Sequence, residues 1–458
     1  MRPLSPISRS LHRLALASAF FAGLALFLLA TPIAQAQSTT STPSTTSTQS
    51  TDPDAPVPVP EPSPLALQYH HSNNYIWLFF QFWGIFLPGI FVFTGLSAKV
   101  RDFAQRLGRR WFFVVGIYCV LVLSLQFIVM LPFAYYIGFV RQHAYGLSNQ
   151  TLFKWASDYV ISLGVSCVGG FLLLWIPYGL GKLSPRRWWL YTALLAAPFI
   201  CFQMLIWPVW IDPLYNSFGA MKDKQLESDI LALAQRAGIE GGRVYEVKKS
   251  VDTKAVNAYV TGFGATKRIV LWDTAIQKLT RDELLVVMAH EMGHYVLGHV
   301  VKMICFSTVL LFFFLYLVHR LGEYLVAHFG RRLKFQQLSD VASLPLIVML
   351  AAALSLVFEP AALAYSRFIE HEADQFGVEI TRSNRAAATA FVKIQQENLG
   401  VPRHGLLYTI WRSSHPSIGD RIDFFNGYKP WKTGAALRYE HLFKPVKPLD
   451  QRTGDGNP

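Results

Sequence analysis

The chain has 458 residues, of which 52% are apolar and only 16% charged, with a formal net charge of +13. That balance excludes an ordinary soluble enzyme, and the apolar residues fall in long blocks. The positive excess sits largely in short loops between those blocks, and no nucleic-acid module, Gly-rich phosphate loop or internal repeat accompanies it.

Arg2, Arg9 and Arg13 precede an apolar stretch at 14–29, followed by Ala34-Gln35-Ala36. Residues 1–36 read as a secretory signal peptide or, if retained, an N-terminal anchor. Residues 37–64 are mostly Ser, Thr and Pro without an apolar period, and a disordered linker is expected over 37–74. Six segments then suit a bilayer core of about 30 Å, which takes roughly 20 helical residues. They are 75–96, 111–137, 159–180, 188–211, 303–318 and 342–364. The first four form a membrane region at 75–211 and the last two a pair at 303–365; the fifth could start earlier, as a continuation of the helix before it. Cys119, Cys167, Cys201 and Cys305 all fall inside these spans, which suits small apolar packing and neither a disulfide framework nor a thiolate metal site.

The loops divide by charge. Residues 99–110 hold five Lys/Arg, 182–187 three and 320–334 four, whereas 37–74 has none and 138–158 only Arg141 and Lys154. The positive-inside rule puts the basic loops in the cytoplasm. Residues 212–302 and the chain beyond 365 then face the periplasm or exterior of a cytoplasmic (inner) membrane protein.

In 212–302, residues 266–273 read as a short strand, either structural or holding an extended peptide by edge pairing. Thr280-Arg281-Asp282-Glu283 reads as a capping box opening a buried helix. On that helix lies His290-Glu291-Met292-Gly293-His294, the HExxH pattern of zinc proteases. Residues four apart share a helix face, so both imidazoles can meet one metal ion, with Glu291 beside them as base. A catalytic zinc needs a third protein ligand. His299 follows His294 by five residues where the HExxHxxGxxH pattern needs six, so an interfacial or supporting role is expected for it. The better region is 366–374, where Glu370, His371 and Glu372 could each bind metal. Two spans separate it from His294, an even number that returns the chain to the same membrane face.

Several ordered motifs now join the HExxH: Leu131-Pro132-Phe133-Ala134-Tyr135-Tyr136, Asp212-Pro213-Leu214-Tyr215-Asn216, Asn257-Ala258-Tyr259, Lys267-Arg268-Ile269-Val270-Leu271, the SRxxExxAD element at 366–374, and His415-Pro416 with Arg421. From about residue 75 to 425 the chain resembles the integral-membrane CAAX prenyl protease family of zinc metalloendopeptidases. The resemblance implies a mainly α, polytopic membrane helical bundle around an intramembrane chamber. With the spans above, that means six spans plus the N-terminal signal or anchor. It also implies a small α+β zincin-like metalloprotease domain in two parts, 212–302 and 366–430, followed by a tail at 431–458. It implies one zinc ion per chain held by His290, His294 and Glu370, with Glu291 as general base. Asp374 would orient a ligating histidine, Asn257 and His415 would stabilise the oxyanion, Arg421 would orient the His415 segment, and His371 and Glu372 would be structural. The substrate would be a peptide or protein, met at the bilayer. The signal-like start, the linker and the charge bias depart from the eukaryotic pattern and favour membrane or envelope proteins over a prenylated CAAX substrate. A non-catalytic membrane zinc binder and a transporter are the alternatives; an intact Glu291 speaks against the first, and a metal motif at the foot of a span against the second.

Overall fold

The computed structural model describes residues 55–239, 243–261 and 268–445. The expected signal or anchor at 1–36 lies outside the described residues, as does most of the Ser/Thr/Pro stretch. Ordered chain is present from Ala55: Val57 is buried among Val286, Val378, Phe391 and Phe425, and its backbone pairs with the Asn426 side chain at 2.9 Å in both directions. Helix α1 (Pro64–Phe93) then begins eleven residues before the span expected at 75, because Ser63 caps it by accepting from Ala66 and Pro64 occupies its first turn.

From there the chain is mainly helical. α2 (Leu96–Leu107) lies between α1 and α3 (Trp111–Tyr135); α4 (Leu152–Leu173), α5 (Trp175–Leu183) and α6 (Trp188–Ile206) follow. Among the described residues five helical runs are long and apolar enough to cross a membrane: Pro64–Phe93, Trp111–Ala144, Leu152–Leu183, His299–Leu333 and Val341–Thr381. The fourth expected span, 188–211, falls short. Its apolar helix covers only Trp188–Gln203, about 24 Å at 1.5 Å per residue, carries Pro198, and passes into a π-helical stretch at Trp207–Ile211. It still joins the two ends of the bundle, since Trp188 bonds His319 at one end and Tyr215, just beyond, accepts from Lys154 at the other.

The three basic loops meet at one end: Arg101 reaches Asp340 and the Lys334 carbonyl, Arg332 the Phe93 carbonyl, and Gly181 packs on Ser339. The opposite end carries a four-stranded sheet, β1 (Phe218–Ala220), β2 (Arg243–Val247), β3 (Ala258–Thr261) and β4 (Arg268–Trp272), in the order β1-β2-β4-β3. β4 pairs with β2 in parallel and with β3 antiparallel. It is therefore a central strand with no free edge, and the edge pairing considered for 266–273 is unavailable to it; β3 holds that edge instead.

α7 (Lys224–Arg236) and α8 (Arg281–Val296) share a core with this sheet: Ile230, Ile269, Leu271, Met288 and Met292 are fully buried there. The Thr280–Glu283 capping box is formed, which typically stabilises a helix start by about 1 kcal/mol. α9 (His299–Leu333) does not continue α8, contrary to one expectation for the fifth span. Gly298 sits between them at φ +66, a left-handed conformation natural to glycine, and turns the chain back toward α8. α10 (Leu344–Thr381) returns across the bundle, and α11 (Asn384–Glu397), α12 (Leu406–Trp411) and α13 (Ile418–Gly427) complete the domain. Of the expected tail, residues 431–445 are described and packed on the domain: Tyr439 is buried in the same core as the sheet, and its amide donates to Glu379.

Candidate active site

α8 and α10 cross with almost no side-chain volume between them. A Cβ on Gly377 would stand 3.1 Å from the His290 amide nitrogen, and one on Gly293 3.1 Å from the Phe376 ring. This contact brings the far part of α10, on which Glu370 and Asp374 lie one turn apart, against the two histidines of α8.

The result is a triangle of donor atoms. His290 Nε2 and His294 Nε2 are 3.2 Å apart, and the Glu370 carboxylate spans them, its Oε2 lying 3.3 Å from His290 Nε2 and its Oε1 3.4 Å from His294 Nε2. With one donor atom taken from each residue, the three lie within 4.8 Å of one another, close enough to converge on one cation with ligand distances of about 2 Å. Glu370 Oε2 is buried without a hydrogen-bond partner among the described residues, an arrangement that a cation would relieve. Of the three candidates in 366–374, Glu370 alone joins the histidines in a metal-competent group. His371 instead packs its ring on Phe424.

Asp374 is 2% exposed, and its Oδ1 lies 2.9 Å from His290 Nδ1. It also accepts two hydrogen bonds from Arg421, at 2.8 and 2.5 Å, whose guanidinium lies over the Phe391 ring. Arg421 was expected to orient the His415 segment, yet its geometry ties it to Asp374. The His415 segment is held by Arg367, whose Nη1 donates to the carbonyls of Thr409 and Ser413, both at 2.7 Å. His415 Nε2 then comes 3.3 Å from Glu370, with its ring half exposed.

The two histidines differ electrically. Burial opposes charge on His290, but Asp374 and Glu370 outweigh it and hold the imidazole up to about 10 when a proton sits where a metal would. His294 is pushed down to about 3, first by burial and then by charge on His290. Glu291 is raised, chiefly by burial, although the Val260 amide on β3 bonds to it. That contact places the free edge of β3 beside the Glu291 carboxylate. Asn257 stands just before β3, exposed, with its Oδ1 accepting from the Ala258 amide; among the described residues it makes no polar contact at the triangle.

Sequence reasoning missed Arg438 and the contacts that link it to two residues it had named. His299, Glu372 and Arg438 form a second chain of contacts behind His294, and Glu372, expected to be structural, lies within it. A supporting role had been open for His299, but its five-residue offset alone gave no direction.

Two histidines, a distant glutamate and an enclosed carboxylate, on a helix bundle with five spanning runs, define a membrane metalloprotease. Residues 220–429 match the model of peptidase family M48, and residues 65–217 match that of the CAAX prenyl protease N-terminal region with five membrane helices. An uncharacterized metalloprotease, YhfN, of Bacillus subtilis (strain 168) is 39% identical over 359 residues, covering 78% of this chain and 84% of the relative. CAAX prenyl protease 1 homolog of Dictyostelium discoideum is 31% identical, covering 64% and 68% respectively. The crystal structure of S. mikatae Ste24p shares the fold, with a TM-score of 0.67 at 24% identity over 77% of this chain and 85% of that one. The chain belongs to peptidase family M48. It is an integral, multi-pass membrane metalloendopeptidase that takes peptide or protein substrates, and the non-catalytic and transporter alternatives are set aside.

Proposed function

We propose that the metal is zinc, one ion held by His290, His294 and Glu370, and that Glu291 is the general base of peptide hydrolysis. The observation that carries this reading is the convergence of His290, His294 and Glu370, with one donor atom from each within 4.8 Å of the others, set beside an enclosed carboxylate that is not part of the group. Two nitrogens and one carboxylate oxygen are a donor set that zinc favours for catalysis. Zinc held there would supply Lewis acidity, polarising a carbonyl and lowering the pKa of water.

The rest falls to this chain's own groups. The free edge of β3 aligns an extended peptide across the site by main-chain pairing. Glu291 takes a proton from the attacking water and returns it to the leaving amine; its raised pKa makes it a stronger base than a solvated glutamate. Asp374 fixes the tautomer of His290 so that Nε2 is free to ligate. His415 and Asn257 donate to the carbonyl oxygen as charge builds there, each worth on the order of 3 kcal/mol. For Asn257 this requires its side chain to leave the Ala258 amide.

The substrates we propose are membrane or envelope proteins, cleaved in quality control on the periplasmic face of the inner membrane. The clustering of all three basic loops at the end opposite the triangle supports that orientation through the positive-inside rule. Relatives such as that of Dictyostelium discoideum carry names as CAAX prenyl proteases, which makes a prenylated peptide the competing substrate. The test uses detergent-purified protein and its Glu291→Gln variant against an unfolded membrane protein and a farnesylated CAAX peptide. Cleavage of the first, lost in the variant while one zinc is retained, is expected. Preferential cleavage of the farnesylated peptide would overturn the substrate assignment, and an active Glu291→Gln enzyme the mechanism.

A further inference from the structure

His290 has a carboxylate behind its ring, the usual partner for a ligating histidine. His294 does not. Its Nδ1 faces another imidazole, His299 Nδ1, at 3.0 Å, with the rings at 72°. His299 is 1% exposed and is carried there by the left-handed turn at Gly298. On its far side, His299 Nε2 lies 3.4 Å from Glu372 Oε2, and both atoms are buried with no other hydrogen-bond partner among the described residues. The other oxygen of Glu372 accepts from Arg438 at 2.8 Å, and Lys302 Nζ stands 3.9 Å from Oε2.

The positions of the protons follow from donor counting. His294 Nε2 belongs to the triangle, so it must keep its lone pair, and the ring's one proton sits on Nδ1. That proton needs an acceptor, and the atom facing it is His299 Nδ1. His299 must then carry its own proton on Nε2, aimed at a carboxylate. One tautomer for each ring satisfies both contacts.

The geometry points to His299 as the positioning residue of His294, with Glu372 fixing the tautomer of His299 and Arg438 anchoring Glu372. The two metal-facing histidines are thus oriented through different chemistry: His290 directly by a carboxylate, His294 by a carboxylate acting through an intervening imidazole. A neutral imidazole polarises its neighbour less than a carboxylate does, so His294 is the weaker donor of the pair.

This inference rests on the assignment of His294 as a ligand, and the experiment separates the two. Zinc affinity is measured by chelator competition on the full-length protein in detergent, together with the visible spectrum of the cobalt-substituted form, for His299→Leu, His299→Gln, Glu372→Gln and His294→Ala. His299→Leu keeps the packing volume but offers no acceptor. It is expected to weaken binding ten- to a hundredfold, to alter the cobalt spectrum, and to lower kcat with KM little changed. His299→Gln, whose side-chain oxygen can accept from His294, is expected to recover most of that loss. Glu372→Gln is expected to weaken binding in the same direction, and it carries the test if His299→Leu does not fold. Wild-type affinity in His299→Leu or Glu372→Gln, or equal losses in the Leu and Gln variants, would overturn the relay. If His294→Ala binds zinc like the wild type, the ligand assignment fails; if it loses zinc while His299→Leu does not, the relay alone fails.

Discussion

Replacing Asp374 with asparagine tests how far the site depends on one buried charge. The carboxylate serves two groups at once: it receives two hydrogen bonds from Arg421 and faces His290 Nδ1 at 2.9 Å. Both Asp374 and Arg421 are nearly inaccessible to water, at 2% and 6% exposure. Breaking such a pair leaves a buried guanidinium uncompensated, at about 3–5 kcal/mol of stability; asparagine keeps one acceptor, which places Asp374→Asn near the lower figure. The effect on metal is separate. Loss of the group orienting a ligating histidine lowers affinity about 10- to 100-fold, or roughly 1.4–2.7 kcal/mol. The assay is zinc competition with a chromophoric chelator on wild type, Asp374→Asn, Arg421→Met and the double variant. Because Arg421 acts on the metal through Asp374, the losses are expected to be strongly non-additive. A zinc affinity unchanged in Asp374→Asn, or full additivity in the double variant, would refute the reasoning.

Arg367→Met removes two of the hydrogen bonds that hold the 409–413 segment, leaving those of Trp411 to the Leu356 carbonyl and of Arg412 to Asn74, and leaves the metal-facing group intact. Zinc content should be unchanged while kcat falls by at least tenfold through misplacement of His415; equal activity would show that the segment holds its shape unaided. His404 stacks on both His70 and Tyr408, which also touch each other, and its pKa is lowered from 6.5 to about 4, first by burial and then by His70 and Arg412. With the folded value depressed, the unfolded chain binds the extra proton. Stability attached to this residue is therefore present above pH 6.5 and lost as pH falls toward 4. A plot of Tm against pH should fall less steeply over that window in His404→Phe, and parallel curves would contradict the assignment.

What could be read from the sequence was what local spacing encodes. His290, Glu291 and His294 meet because a helix places them on one face, and Glu370 reaches them because an even number of spans intervenes. The choice of Glu370 over His371 and Glu372 came from family likeness, since all three are chemically suitable and only the rotation of α10 against α8 separates them. Relations that depend on order in space were hidden. β4 has the residues of an edge strand as readily as those of a central one, and only the pairing with both β2 and β3 decides. Arg367 holds the segment that Arg421 was expected to orient, because each is attached through contacts more than 40 residues away. His299 depends on the backbone at Gly298, whose left-handed turn is not written in the spacing of histidines. The short fourth span reflects Pro198 and the π-helical stretch after it, where a count of apolar residues ran on to 211.

α10 runs unbroken from Leu344 to Thr381, and its start belongs to the end of the bundle where the basic loops gather. Glu370 therefore lies about 39 Å along one helix from that start, against a hydrocarbon core of about 30 Å. The same helix that crosses the membrane thus sets the height of the catalytic centre, and α9 departs only five residues after His294. On the proposed reading the protein is a gauge as well as a blade: peptide bonds close to the lipid surface are expected to be cut, and loops held well above it to escape.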